Sequence, residues 1–184
     1  KQTAFVHVVK RNGKEWNDYI NFKNYLRKYP SAAKEYERLK LELSKTASQN
    51  DRRKEYTDGK KDLIEYFLRK ALVDSYLGKT VKIEIDRPIG YVHKKANYSL
   101  TYPINYGYIP GVIGGDGEEL DVYLLGVEKP VSSYTAKIIA VVHRKNDVED
   151  KLVAAPPEKL FTKDEIAFAV AFQEQYYDSY VQMI

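Results

Sequence analysis

A chain of 184 residues is long enough for one ordinary domain or two small ones. Its composition, 43% hydrophobic and 30% charged, is typical of a folded soluble protein and excludes a largely disordered chain. No apolar run approaches the roughly 20 residues that span a bilayer, and the first residues show no signal-peptide pattern. These features predict a cytoplasmic protein with no membrane partner.

The cysteine, histidine and charge content narrows the chemistry further. The absence of cysteine excludes disulfides and thiolate metal sites, and the three histidines lack the spacing of a helical zinc site, so oxygen ligands and hard cations are favoured. The net charge of +4 is uneven, because residues 1–78 hold 18 Lys+Arg against 11 Asp+Glu and residues 79–184 hold 12 against 15. The basic excess alternates with acids on helical segments, which favours a solvated surface over nucleic-acid binding.

The first region is predicted to be helical after a short strand from Ala4 to Val9. Pro30 and Ser31 end one helix and begin the next, and a polar break from Ser48 to Asp51 precedes a third. Apolar residues recur at helical spacing along all three, at Trp16, Tyr19, Ile20, Phe22, Tyr25 and Leu26, at Ala33, Tyr36, Leu39 and Leu43, and at Tyr56, Leu63, Phe67, Leu68 and Leu72. These stripes indicate helices that pack against a partner.

From Thr80 the pattern changes to the alternation of β-branched residues that is typical of strands. Strands are predicted at Val81 to Ile85, Val122 to Leu125, Lys137 to His143 and Leu152 to Ala154. A last amphipathic helix is predicted to begin near Thr162 and to run past Tyr177. The change of pattern places the domain boundary near Leu77 or Gly78, which gives a helical region over 1–78 and a second domain over 79–184.

The segment 116–125, DGEELDVYLL, carries acids on a turn that leads into an apolar strand. Asp116, Glu118 and Asp121 repel one another unless a cation compensates, and Mg²⁺ prefers such oxygen ligands. An exposed acidic turn is the alternative interpretation. A calcium EF-hand loop is a poor match, because Gly117 takes the second position.

A second acidic cluster follows the strand that ends at His143. Its members are Asp147, Glu149 and Asp150, and Lys151 comes next. Two carboxylate clusters at the ends of neighbouring strands can share one or more Mg²⁺ ions.

Upstream of the first acidic turn lies a tyrosine-rich segment, residues 102–111, YPINYGYIPG. Tyr102, Tyr106 and Tyr108 are separated by even numbers of residues, which places their hydroxyls on one side of an extended segment, where they can donate to phosphate oxygens. Packing in a core is the alternative role of these tyrosines.

The tyrosine segment and the DGEELDV turn together resemble the family I soluble inorganic pyrophosphatases, whose core motif is D-G-D-x-x-D-V. The resemblance extends over about residues 79–180. Ile83-Glu84-Ile85 is similar to the family's first strand with its active-site glutamate, and residues 172–178 are similar to the helix that carries a phosphate-contacting tyrosine. The resemblance implies an α+β chain, in which a helical N-terminal region precedes a small OB-like β-barrel with a packed C-terminal helix.

The same resemblance implies Mg²⁺-dependent hydrolysis of inorganic pyrophosphate, or a related phosphoanhydride, to phosphate. It assigns catalytic roles to Glu118, Asp121, Tyr106 and Lys151. It assigns Mg²⁺ binding to Asp116, Asp121, Asp147, Asp150, Glu149 and Glu84. It assigns phosphate contacts to Tyr106, Tyr176 and Lys151, and the spacing of the tyrosines adds Tyr102 as a candidate. The implied partner is a small phosphoanhydride, and a homo-oligomer is left open.

The chain departs from the family pattern in its acidic loop and in its basic residues. Asp150 directly precedes Lys151, whereas the family places one residue between its last aspartate and the lysine, so Glu149 competes with Asp150 for the metal position. The family's basic residues between its first strand and its tyrosine motif have no matching motif here. We therefore hypothesise that Arg144 and Lys145 bind phosphate in their place. The alternative function is a non-catalytic pyrophosphatase-like binding or regulatory module.

The helical region carries a resemblance of its own. Phe5-Val6-His7-Val8, Ala33-Lys34-Glu35-Tyr36 and Tyr56-Thr57-Asp58-Gly59 are similar to the C-terminal half of GrpB-family proteins, which are nucleotidyltransferase-like. The match covers residues 4–72. The half that carries the Gly-Ser and paired aspartates for nucleotide binding is missing, so the resemblance implies no transferase activity.

Overall fold

The computed structural model describes residues 6–46, 52–95 and 98–184. The chain divides into two compact units, Lys1–Ser75 and Tyr76–Ile184. This division lies within a few residues of the boundary predicted near Leu77 or Gly78. In the ranges that the structure covers, none of the helices combines the length and the apolar character needed to cross a membrane.

The first unit is built from helices, as the apolar periodicity predicts. Their bounds are α1, Lys14–Lys28; α2, Pro30–Thr46; α3, Arg52–Asp58; and α4, Lys61–Tyr76. Aromatic side chains form the packing between them, because the Phe22 ring meets Tyr36 edge-on at 5.4 Å and lies 6.5 Å from the ring of Phe67, which is buried. Pro30 begins α2, where its missing N–H costs no hydrogen bond.

Two predictions for this unit need correction. The predicted third helix is divided into α3 and α4, because the chain turns at Gly59, a residue that weakens a helix interior. The predicted strand from Ala4 to Val9 is wrong for the described residues from Val6 onward, which form no strand and leave the Val6 and Val8 side chains exposed. Ala4, Phe5 and the polar break from Ser48 to Asp51 lie outside the described residues.

The second unit contains eight strands and one helix among its described residues. Their bounds are β1, Thr80–Arg87; β2, Val92–Lys95; β3, Tyr98–Thr101; β4, Asn105–Ile113; β5, Glu119–Leu124; β6, Ser133–Arg144; β7, Lys151–Ala155; α5, Lys163–Glu174; and β8, Ser179–Met183. The four predicted strands correspond to β1, β5, β6 and β7. The predicted run of the last helix past Tyr177 is wrong, because the helix ends at Glu174 and the chain turns back to pair β8 with β6.

Five of the strands pair in a closed ring. β1 pairs with β4, β4 with β5, β5 with β7, β7 with β6, and β6 with β1, and only the β5–β7 pairing of this set is parallel. The long strand β6 also holds β8, and β2 and β3 form a separate two-stranded sheet. The described strands therefore close into a ring of five, which is compatible with the predicted OB-like barrel and removes most sheet edges.

Helix α5 packs on the barrel through Ile166 and Val170, which join a buried cluster with Tyr102, Tyr106 and Tyr123. A capping box begins the helix. The Thr162 hydroxyl accepts from the backbone N–H of Glu165, and the Glu165 carboxylate accepts from the N–H of Thr162. The cap fixes the point at which the chain enters the helix.

Thr162→Ala is expected to lower the stability of α5 by about 1 kcal/mol, because an N-cap hydroxyl satisfies an otherwise unpaired helix N–H. The expected result is faster amide hydrogen exchange along the first turn of α5. Thr162→Ser keeps the hydroxyl and should exchange like the native chain. Equal exchange rates in the alanine variant would contradict a stabilising cap.

Candidate active site

Side chains from the two strands that flank β5 converge on the carboxylate of Asp121, in β5. The hydroxyl of Tyr106, in β4, and the ammonium of Lys151, at the start of β7, both donate to Asp121 Oδ2. The strand order produces this meeting, because β5 pairs with β4 on one side and with β7 on the other. Lys151 also donates to Glu149 Oε2 at 2.7 Å. We call Tyr106, Asp121, Glu149 and Lys151 the Asp121 cluster.

A glycine permits the close pairing that places Tyr106. Gly107 lies opposite Ile85 of β1, and a Cβ atom at this position would lie 1.8 Å from the carbonyl oxygen of Glu84. Any larger residue would push β1 away from β4. The glycine of the NYGY segment is therefore required by packing beside the site.

The Asp121 cluster is largely removed from solvent. Tyr106 is fully buried, Lys151 is 2% exposed and Glu149 is 8% exposed, whereas the Asp121 side chain keeps 23% of its surface exposed. Burial raises the pKa of Tyr106 well above its ordinary value, and the charge of Asp121 raises it further. Tyr106 therefore remains a protonated donor to Asp121 at neutral pH.

The two carboxyl groups of the cluster titrate differently. Burial raises the pKa of Glu149 to about 7, with Lys151 opposing this shift and Asp121 adding to it. Burial acts on Asp121 in the same direction, but the charge of Lys151 and the hydrogen bonds from Glu149, Lys151 and Tyr106 outweigh it, so the pKa of Asp121 is lowered. The pair therefore keeps its proton on Glu149, and Asp121 is ionised.

Glu149→Gln is expected to remove a pH dependence of stability. The pKa of Glu149 rises from its ordinary value of 4.5 to about 7 on folding, so the folded chain holds a proton that the unfolded chain releases, and stability falls as the pH rises through this window. At about 1.4 kcal/mol per pH unit, the native loss is on the order of 3 kcal/mol. Chemical denaturation at a series of pH values measures it.

The matched control for this prediction is Glu158→Gln, which removes an exposed carboxylate outside the cluster. It should leave the slope between pH 4.5 and 7 as in the native chain. A native chain whose stability rises over this window would contradict the proton assignment.

The other acids of the second loop are held by neighbouring groups. Asp150 accepts from the backbone N–H of Arg144 at 3.0 Å, and its Oδ2 lies 2.7 Å from His143 Nδ1. Asp147 accepts from Arg144 Nη1 at 3.0 Å and from the N–H of Val148 at 2.7 Å. Both carboxylates are therefore engaged by protein donors. Of the loop's three acids, Glu149 is the one that joins the Asp121 cluster.

The first acidic turn is open to solvent. Asp116 and Glu118 are exposed, and Asp116 Oδ1 accepts from the backbone N–H of Glu118 at 3.0 Å. Gly117 has a φ of 91°, a conformation that favours glycine and lets the turn form. The turn therefore presents two solvated carboxylates immediately before β5.

The six predicted metal ligands do not come together as one set. Within residues 6–46, 52–95 and 98–184, no three His, Asp or Glu side chains are close enough to hold a metal ion. Asp147 and Asp150 are drawn to Arg144 and His143, and Glu84 pairs with Lys82 at 2.6 Å. The carboxylates that do meet are those of Asp121 and Glu149.

Glu149 Oε1 is a buried carboxylate oxygen with no hydrogen-bond partner. Such an atom is costly unless a proton or a cation compensates it. Mg²⁺ is commonly bound by one or two carboxylates together with substrate phosphates rather than by a cage of protein ligands. Once Glu149 has released its proton, its Oε1 atom and the Asp121 carboxylate therefore fit Mg²⁺ binding of this limited kind.

The comparisons with known proteins decide the family. Residues 71–178 match the family model of inorganic pyrophosphatase, and this span is more than half of the chain. The chain belongs to the inorganic pyrophosphatase family. Residues 1–70 match the GrpB protein model, so the predicted resemblances of both regions are confirmed.

Curated relatives in the pyrophosphatase family match over part of their length. The chain is 32% identical over 89 residues to an inorganic pyrophosphatase of Aquifex pyrophilus, covering 45% of this chain and 50% of that one. It is 35% identical over 95 residues to an inorganic pyrophosphatase of Sulfolobus acidocaldarius, covering 48% and 55%. The chain therefore spans about half the length of the curated relatives it matches.

Solved structures of inorganic pyrophosphatases give weaker similarities. The chain from Ehrlichia chaffeensis aligns with a TM-score of 0.46 and 19% identity, covering 59% of this chain and 88% of that one.

The predicted phosphate contacts of this pyrophosphatase-family chain lie in different environments. Tyr102 is buried, and its hydroxyl accepts from Arg87 Nη1 at 3.0 Å. Tyr176 follows α5 and is exposed, and Lys145 is exposed and pairs with Asp178 at 3.1 Å. Arg144, by contrast, is buried among carboxylates. Of these predicted contacts, Tyr176 and Lys145 are the ones that solvent reaches.

Sequence reasoning missed two residues beside the Asp121 cluster, Asp86 and Arg87. The Arg87 guanidinium lies 5.0 Å from the Tyr106 ring centroid. Burial raises the pKa of Asp86. The charge of Arg87 opposes this increase, and the nearby charge of Asp121 adds to it. The register of β1 shifts between Ile85 and Arg87, so simple alternation along the strand gives the wrong side for Arg87. The sequence signal that was available is the adjacent pair of opposite charges, Asp86 and Arg87, at the end of a strand in which apolar and charged residues alternate.

Proposed function

We propose that the chain hydrolyses inorganic pyrophosphate, or a related phosphoanhydride, to phosphate in the presence of Mg²⁺. The observation that supports this most is the carboxylate of Asp121, which accepts from the Tyr106 hydroxyl and the Lys151 ammonium beside the buried Glu149 Oε1. Such a group combines a base, a proton donor and a cation in a site that is mostly closed to water. The proposal includes the cytoplasmic location and the small phosphoanhydride partner expected from the sequence.

In this proposal Asp121 accepts a proton from the water that attacks phosphorus. Its lowered pKa keeps it ionised, and Tyr106 and Lys151 both donate to Oδ2, which fixes the orientation of the carboxylate. Glu118, on the turn before β5, is the alternative base. When bound, Mg²⁺ supplies charge stabilisation and lowers the pKa of water.

Lys151 supplies fixed positive charge where negative charge develops on the phosphate oxygens. Its ammonium lies between Asp121 and Glu149, so a bound anion adjacent to it would meet a positive centre that is already oriented. The solvent-exposed Tyr176 and Lys145 are the proposed further phosphate contacts. Tyr106, whose hydroxyl donates to Asp121, stays a prediction from the resemblance as a phosphate contact. Asp121 and Glu149 are the proposed Mg²⁺ ligands, with Asp116 contributing from the exposed turn. Glu84, Asp147 and Asp150 stay predictions from the resemblance.

Phosphate release from pyrophosphate by the full chain tests the proposal. We expect release that requires Mg²⁺ and stops on addition of EDTA. Tripolyphosphate and ATP test other phosphoanhydrides, and p-nitrophenyl phosphate, a monoester, is the control that should not be hydrolysed at a comparable rate. No release from any of the three phosphoanhydrides, or equal release with and without Mg²⁺, would contradict the proposal.

A non-catalytic module that binds pyrophosphate is the second candidate function. It is favoured by one observation, that the donors of Arg144 are bonded to Glu174 and Asp147, which leaves fewer cations for an anionic transition state. Calorimetric binding of pyrophosphate without turnover would support this candidate. Turnover at a Mg²⁺-dependent rate would exclude it.

A further inference from the structure

Arg144, the last residue of β6, is a buried cation surrounded by carboxylates. Its side chain is 2% exposed. Nε and Nη2 donate to the two carboxylate oxygens of Glu174, at 3.0 and 2.6 Å. Nη1 donates to Asp147 at 3.0 Å and lies 3.8 Å from Glu149 Oε2. The guanidinium also lies over the Tyr177 ring, 3.6 Å from its centroid.

We propose that Arg144 takes, from within the protein, the place of a divalent cation among these carboxylates, so that the second acidic loop recruits no Mg²⁺ of its own. Asp147, Glu149 and Glu174 come from the loop and from the end of α5, and their negative charges repel at close range unless a positive charge lies between them. The guanidinium supplies that charge and a fixed fork of donors that matches carboxylate geometry. This inference rests on the proposed function, because the choice of Mg²⁺ as the ion comes from that function.

Each acid of the loop is held by donor groups of the protein. Asp150 is held by His143 and by the backbone N–H of Arg144, and Asp147 is held by Arg144. Glu149 shares Lys151 with Asp121. A divalent ion placed among them would have to displace these protein donors first. Ion binding is therefore limited to the side of the cluster where Asp121 and Glu149 Oε1 lie.

The same contacts explain why Arg144 does not bind phosphate in this proposal. An incoming phosphate would have to break the paired hydrogen bonds to Glu174, which is itself buried and also accepts from the Tyr123 hydroxyl at 2.6 Å. Removing the partner of a buried carboxylate is strongly unfavourable. Arg144 thus acts as a positioning residue that holds the loop and α5 together beside the Asp121 cluster.

The number of Mn²⁺ ions bound per chain tests the proposal without any measurement of turnover. Electron paramagnetic resonance counts free and bound Mn²⁺ for the native chain, Arg144→Gln and Arg144→Lys. We expect Arg144→Gln to bind one more ion than the native chain, and its melting temperature to rise more on addition of Mn²⁺. Arg144→Lys keeps the positive charge and should bind the native number. Lys145→Gln, which removes the adjacent exposed cation, is the matched control and should also bind the native number.

An unchanged ion count in Arg144→Gln would overturn the proposal, as would an additional ion in Arg144→Lys. If Arg144→Gln does not fold with or without Mn²⁺, Asp147→Asn in the native background decides, because Asp147 is partly exposed. A native ion count in Asp147→Asn supports the proposal, and the loss of an ion overturns it. A native chain that binds Mn²⁺ but releases no phosphate would refute the proposed function and leave this count meaningful.

Discussion

Asp121→Asn is expected to lower the rate of phosphate release from pyrophosphate by roughly 10²–10⁴-fold, the range for loss of a positioned group that transfers a proton. The substitution keeps the size of the side chain but removes its charge and its basicity. Tyr106 and Lys151 would then donate to a neutral amide oxygen, and Glu149 would lose its ionised neighbour. Initial rates at saturating pyrophosphate and Mg²⁺ give kcat, and a concentration series gives KM.

The pattern of the two constants distinguishes the roles of Asp121. A loss confined to kcat indicates an interaction made only in the transition state, whereas a raised KM for pyrophosphate or for Mg²⁺ indicates lost binding. Asp164→Asn, an exposed aspartate in the first turn of α5, is the control for removing one negative charge and should retain native constants. A native kcat in the Asp121→Asn chain would show that Asp121 is not a catalytic residue.

The parts of the site that follow from sequence alone are those fixed by local spacing. Tyr106 and Asp121 lie on adjacent antiparallel strands joined by a short turn, so their meeting is encoded in one continuous segment. Lys151 begins a strand that the alternation pattern also predicts. Local spacing therefore accounts for the meeting of Tyr106 and Asp121, whereas only the resemblance to the pyrophosphatases placed Lys151 beside them, because that contact depends on the pairing of the distant strands β5 and β7.

The parts that could not be predicted depend on contacts between distant segments. Arg144 follows a strand and precedes an acidic loop, which suggested a phosphate ligand, but its partner Glu174 lies at the end of α5 and is brought there by the packing of the helix on the barrel. The end of the helix was likewise misplaced, because the pairing of β8 with β6 overrides the helical pattern past Glu174. Contacts between distant segments, rather than local sequence preference, therefore determine both the partner of Arg144 and the end of α5.

Lys151→Met is expected to destabilise the chain by about 3–5 kcal/mol, the cost of removing one partner from a buried ion pair. Methionine fills nearly the same volume, so the loss comes chiefly from charge. The substitution removes the cation that contacts both Asp121 and Glu149, which leaves two carboxylates close together in a site that is mostly closed to water. Urea denaturation followed by circular dichroism measures the change in free energy of unfolding.

The pH dependence of stability and a second substitution show whether the loss of stability in Lys151→Met comes from the lost charge or from lost packing. Lys151 opposes the raised pKa of Glu149, so its removal raises that pKa further, and the variant should regain stability relative to the native chain as the pH falls. Adding Glu149→Gln to Lys151→Met removes one of the two carboxylates and should recover part of the free energy of unfolding.

The control variant is Lys145→Met, which breaks an exposed pair with Asp178 and should cost less than about 1 kcal/mol. A loss at Lys151 that neither low pH nor the second substitution reduces would indicate packing as the cause and would contradict the charge balance on which the proposed site depends.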